Sequence, residues 1–136
     1  DLIVYTDVDR NARFDEKVDK REVLLTGFSG ANHDHSLHSV TVGPNGQYYF
    51  NHGNKGSQVT DKDGWQLNAG SFYSMKNISG KPSSDGQVYN GGVALRGNQD
   101  GTGMRPIGHN FRNSYEQAIS SLGDVFQNWE KIGLPF

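Results

Sequence analysis

The residues best suited to chemistry are His33-Asp34-His35-Ser36-Leu37-His38, three imidazoles and a carboxylate within six positions. Imidazole titrates nearest neutral pH, so it suits proton transfer. The run leads straight into Ser39-Val40-Thr41-Val42, then Gly43-Pro44-Asn45-Gly46, then Gln47-Tyr48-Tyr49-Phe50. Apolar positions alternating on either side of a Gly/Pro/Asn turn predict a β-hairpin. Such a hairpin is a rigid platform for a loop histidine, and His35 is the first candidate. Two other uses stay open: a divalent metal held by two imidazoles and a carboxylate, and plain hydrogen bonding to backbone. Strand alternation would put His38 on the face of Val40, near the core.

A second cluster is acidic. Asp7, Asp9, Asn11 and Asp15 place oxygen ligands at the first, third, fifth and ninth positions of an EF-hand-like loop, a pattern that suits calcium. Ala12 stands where that loop carries glycine, and Val18 where it carries its bidentate glutamate. Arg10 and Arg13 lower the local negative charge, so a solvated acidic turn is the competing reading.

These residues need a scaffold, and the composition limits which. The chain has 136 residues, 18 of them Gly, with only 33% hydrophobic residues. Many short strands joined by tight turns produce such a composition, and long apolar-periodic stretches for helices are missing. Cysteine is absent, which excludes disulfides, thiolate zinc sites and iron–sulfur clusters within the chain. A net charge of -2 gives no basic footprint for nucleic acid. No run is apolar enough to span a membrane as a helix. The opening Asp1-Leu2-Ile3-Val4-Tyr5 reads as the middle of a strand, as expected of a mature or excised piece.

Strands are predicted at Leu2 to Tyr5, Glu22 to Thr26, the hairpin about Gly43 to Gly46, Trp65 to Leu67, Ser71 to Tyr73, and Gly92 to Arg96. Residues 115 to 119 and 124 to 127 form a final hairpin about Ser121-Leu122-Gly123; a short helix over Asn113 to Leu122 is the alternative. The hairpin is preferred because of an internal repeat. Gly46-Gln47-Tyr48-Tyr49-Phe50-Asn51 matches Gly123-Asp124-Val125-Phe126-Gln127-Asn128 at an offset of 77, which also sets Val42 on Ile119 and His35 on Arg112. Repeated four-stranded sheets around an axis make a β-propeller, in which loops entering the innermost strands converge on the central channel. His35 and Arg112 would then meet at one pocket. A repeat of 77 is long for one blade, so the polar stretch 52 to 90 must hold an insertion. The fold class is therefore all-β. The repeat predicts part of a propeller, one full blade plus parts of its neighbours.

Leu24-Leu25-Thr26-Gly27, Asp34-His35, Gly43-Pro44-Asn45-Gly46, Tyr48-Tyr49-Phe50, Val93-Ala94-Leu95-Arg96, Asp100-Gly101 and Gly108-His109-Asn110-Phe111-Arg112-Asn113-Ser114 stand in an order that resembles the soluble quinoprotein sugar dehydrogenases. The resemblance is strongest to bacterial sorbosone-dehydrogenase-like propellers, often fused to cytochrome c domains, and covers roughly residues 1 to 128. It implies a six-bladed propeller that binds pyrroloquinoline quinone and calcium, of which this chain would be a fragment of about two blades over residues 1–128 with a tail at 129–136, and His35 as general base toward a sugar or alcohol hydroxyl. Arg112 would stabilise negative charge on the reduced quinone, and Asn113 would contact it. Asn54 would lie near the cofactor, where the family carries an acid that could orient the histidine. The Gly108-His109-Asn110-Phe111-Arg112-Asn113 motif is two residues longer than the family's, and Trp129 to Phe136 departs from the family pattern.

The expected activity is oxidation of a sugar or alcohol, with a cytochrome c as possible electron acceptor and a periplasmic or secreted location. Two readings compete with it. One is a non-catalytic propeller module that binds a glycan or protein. The other is a structural fragment completed by further copies of itself, or by blades from another chain. His52 is a secondary pocket candidate, and Tyr48, Tyr49, Phe50, Phe72 and Tyr73 are expected to pack between blades.

Overall fold

The structure, a computed structural model, describes residues 1–30, 33–71 and 74–128. The tail at 129–136 and the aromatic pair Phe72 and Tyr73 lie outside the described residues. Among the described residues the chain is all-β, with no α-helix. Two single 3-10 turns occur, at His33–His35 and Lys76–Ile78.

Strands β1 (Leu2–Thr6) and β2 (Lys20–Leu25) form an antiparallel pair joined by the acidic loop. The central sheet has four antiparallel strands in the order β3 (Leu37–Val42), β4 (Tyr48–His52), β8 (Gly92–Gly97) and β9 (Arg105–Phe111). Between β4 and β8 the chain builds a separate three-stranded sheet from β5 (Ser57–Thr60), β6 (Gln66–Gly70) and β7 (Tyr89–Asn90). This sheet lies within the polar stretch 52 to 90, where an insertion was expected. Strands β10 (Gln117–Ile119) and β11 (Val125–Gln127) close the described chain as a hairpin, not a helix.

The repeat at 77 residues recurs in the backbone. In the first hairpin Val42, Thr41 and Val40 face Tyr48, Tyr49 and Phe50. In the last, Ile119, Ala118 and Gln117 face Val125, Phe126 and Gln127. The turns match too. Gly43 N–H donates to Gln47 C=O at 2.9 Å, and Ser120 N–H donates to Asp124 C=O at 2.9 Å. Each turn ends on a left-handed glycine, Gly46 or Gly123, because the fourth turn residue needs a positive φ that costs glycine little. The turns at 61–65, 83–87 and 98–102 have the same hydrogen-bond pattern.

The core lies between the sheets. Phe50, Val93, Leu95, Leu67, Val59, Leu24 and Met104 are buried. β4 and β8 are largely buried on both faces because they are the inner strands, whereas the edge strands β3 and β9 hold only half-buried and exposed residues. Pro106 sits in β9, an edge strand, where its missing N–H breaks no inner ladder.

Asp61 ties the inserted sheet to the central one. Its Oδ1 accepts the N–H groups of Asp63 at 3.0 Å and Trp65 at 2.8 Å, and its Oδ2 accepts that of Met104 at 2.9 Å. Arg105 stands 3.6 Å away with its guanidinium over the Trp65 ring at 4.8 Å. The Asp61 side chain is fully buried, so losing it would strand three backbone donors. Asp61→Ala is expected to destabilise the fold by on the order of 3 kcal/mol, measured as a lowered urea midpoint with an unchanged denaturant slope.

Candidate functional site

The site is built where three segments meet: the turn and strand start at 33–38, the exit of β4 at 52–54, and residues 112–115 after β9. Gly53 donates its N–H to Ser36 C=O at 2.9 Å, and Asn54 donates its N–H to Arg112 C=O at 2.9 Å. The β4 exit is thus clamped from both sides. Gly53 permits this closeness, because a Cβ there would lie 2.5 Å from Asn113 Oδ1 and 2.7 Å from His35 C=O. The segments carrying His35 and Arg112, matched in sequence by the offset of 77, are brought together through Asn54.

Asn54 is 5% exposed, and its Oδ1 lies 2.7 Å from His35 Nδ1. With the amide oxygen turned to the ring, and a carbonyl oxygen only accepting, the neutral His35 ring carries its proton on Nδ1 and its lone pair on Nε2. The sequence reading left the ring without a carboxylate to orient it at position 54. An amide performs that orientation here, without adding a charge. His35 itself is half-buried.

His38 was expected beside Val40, and here the structure corrects the sequence. Ser39 has φ 43° and forms a bulge, so His38 faces Asn51 while Val40 faces Phe50. Neighbouring positions on β4 point to opposite faces, so the bulge turns His38 away from the Val40 face. Its Nε2 lies 3.0 Å from Asn113 Oδ1 and 3.1 Å from Asp34 C=O. Its ring stacks on Tyr115 at 4.1 Å. Asn113 is 7% exposed, and Arg112 is half-buried.

His52 does not belong to this polar group. It is 1% exposed and stacks on Phe28 at 5.6 Å, and neither ring nitrogen has a hydrogen-bond partner. Burial lowers its pKa to about 4 from 6.5; the backbone of Gly53 and Ser29 opposes that shift, while His38 and the N-terminal amine add to it.

In the acidic loop, carboxylate oxygens of Asp7, Asp9 and Asp19 lie within 4.8 Å of one another. Asp7 accepts the N–H groups of Asn11 and Ala12, and the Ala12 N–H above all holds its carboxyl below the usual range. Asn11 donates to Asp9 from its side chain, and its own Oδ1 accepts the Arg13 N–H. Asp15 is not in the group of three; its Oδ1 caps Lys17 N–H at 2.9 Å. Asp19, which the spacing argument passed over, is 8% exposed and binds the Val8 and Asp15 N–H groups. Its signal was present in sequence, one residue beyond the last ligand position of the loop template.

Fold and site together define an all-β protein with a histidine–amide cluster at the exits of its central strands. The chain belongs to the DUF7133 family, described as a domain of unknown function, whose model matches residues 1–128. No curated protein and no solved structure matches it. None of the helices among the described residues is long and apolar enough to cross a membrane.

The buried neutral His52 makes a pH prediction. Its folded pKa lies below its unfolded value, so its contribution to stability is full above about pH 6.5 and is lost as pH falls toward about 4. The loss is on the order of 3 kcal/mol. His52→Leu needs no buried proton site, so its stability relative to the parent should rise by that amount between pH 7 and pH 4. Urea unfolding at several pH values reads this directly, and parallel curves for the two proteins would refute it.

Proposed function

We propose that this chain is the blade-bearing part of a quinoprotein-like β-propeller that oxidises a sugar or other alcohol, with His35 as the general base. The observation that carries the reading is the Asn54 Oδ1 contact to His35 Nδ1. It leaves the lone pair on Nε2, the nitrogen that would take the substrate hydroxyl proton. The propeller reading is supported by the four-stranded antiparallel sheet flanked by a strand pair from each side of the chain, and by the identical hairpin register 77 residues apart.

The donor set suits an anionic quinone. The segment joined to His35 through Asn54 carries a permanently cationic guanidinium, Arg112, beside an amide, Asn113. Pyrroloquinoline quinone, when bound, supplies the hydride acceptor. Arg112 and Asn113 would hold its negatively charged oxygens, and His35 Nε2 would accept the substrate proton while Nδ1–H stays on Asn54. Calcium is the ion suited to the oxygens of Asp7, Asp9 and Asp19 in the acidic loop. A cytochrome c as electron acceptor and a periplasmic or secreted setting accompany this reading through the family resemblance alone.

Reconstitution with pyrroloquinoline quinone and calcium, followed by dye reduction with a panel of aldoses, tests it. Turnover is expected, and His35→Ala should lower it by at least roughly 100-fold. Saturable sugar binding that survives in His35→Ala, with no turnover in either protein, would instead establish the non-catalytic binding module.

A further inference from the structure

We propose that His38 is a positioning residue that fixes which end of the Asn113 side-chain amide faces the site. The inference rests on the reading of Asn113 as a ligand contact given above, and it adds a residue and a role to that site.

An asparagine amide presents an acceptor at one end and a donor at the other, and a half-turn exchanges them. Something must therefore select the orientation. His38 Nε2 lies 3.0 Å from Asn113 Oδ1 and 3.1 Å from Asp34 C=O. Both neighbours are acceptors, so Nε2 carries a proton that the two share. A flipped amide would set N–H against N–H, so the donor end, Nδ2, is left for a ligand. Three further features hold His38 and Asn113 in place. The Ser39 bulge, with a positive φ on a non-glycine residue, aims the ring off the face that strand alternation would give it. Tyr115 stacks on the ring at 4.1 Å with 28° between planes, and the Tyr115 hydroxyl donates to Asp34 C=O at 3.4 Å. Gly53 leaves room for Asn113 Oδ1, which any Cβ would meet at 2.5 Å.

The arrangement has a chemical consequence. Nε2 donates both in the neutral Nε2–H tautomer and in the imidazolium, so the lock does not depend on the charge of His38. His35 uses its Nδ1–H toward an amide oxygen, and His38 uses its Nε2–H toward another. The two histidines thus sit in opposite tautomers. One keeps a lone pair for a proton, and the other keeps Asn113 as a donor.

The test compares the 136-residue chain with His38→Phe, His38→Gln, Asn113→Ala and the double variant His38→Phe/Asn113→Ala. The first readout needs no ligand: the Asn113 side-chain amide signals in the nitrogen–proton NMR spectrum. They should move toward random-coil positions in His38→Phe, which retains the stack but not the donor. They should stay near their parent positions in His38→Gln, which can still donate. Unchanged signals in His38→Phe would overturn the proposal. The second readout is the fluorescence-monitored affinity for pyrroloquinoline quinone. His38→Phe and Asn113→Ala should each weaken it by about 10-fold, the double variant by no more than either alone, and His38→Gln by less than about 3-fold. Additive losses in the double variant would show that His38 acts independently of Asn113 and would overturn the proposal. Equal, negligible binding by every protein would overturn the quinone reading, while the amide signals still decide the role of His38.

Discussion

The site depends on one residue, Asn54, which makes two hydrogen bonds in two directions. Its backbone N–H holds Arg112, and its side-chain oxygen holds His35. Remove either and the turn at 33–35 and the segment after β9 lose their common reference point. The bond to His35 also decides chemistry, because a ring nitrogen that donates cannot accept. A carboxylate would orient the same ring and add a charge next to it. The amide sets the tautomer alone. Gly53 is the steric condition for this geometry, since a side chain there would push Asn113 and the His35 backbone apart.

The sheets supply the rigidity the site borrows. His35, His52, Asn54 and Arg112 all lie at or just beyond ends of strands in one four-stranded sheet, whose inner strands are largely buried on both faces. Asp61 and its three backbone donors fasten the inserted sheet to the turn that starts β9. Polar groups at strand ends are therefore held by neighbours that cannot easily move. The cost of this packing is visible at His52, an imidazole enclosed against Phe28 with both nitrogens unpartnered.

Much of the fold was legible because turn chemistry is local. Gly43-Pro44-Asn45-Gly46 and Ser121-Leu122-Gly123 announce hairpins, and the match of Gly46 to Gly123 decided between hairpin and helix for the last segment. Strands β5 and β9 were not legible. Ser57-Gln58-Val59-Thr60 has one apolar side chain, and Arg105 to Phe111 contains Pro106 and Gly108, tolerated only because that strand is an edge. In the site, the repeat marked the two segments that carry His35 and Arg112, but not Asn54, the residue that bonds to both. Position 54 reads as a lost acid until its oxygen is seen on the ring. The aim of His38 was hidden by a bulge at Ser39, a residue with no sequence mark for a positive φ. His52 looked like a pocket residue because nothing in a sequence distinguishes a channel histidine from a buried one. Asp19 was passed over because the loop template stops one residue short of it.

The central claim is that Asn54 sets the tautomer of His35, and nitrogen-15 NMR of the imidazole reads that tautomer directly. Above neutral pH, His35 should show a protonated, pyrrole-type Nδ1 and an unprotonated, pyridine-type Nε2, and Asn54→Ala should abolish the preference. A His35 ring protonated at Nε2 in the parent protein would contradict the account.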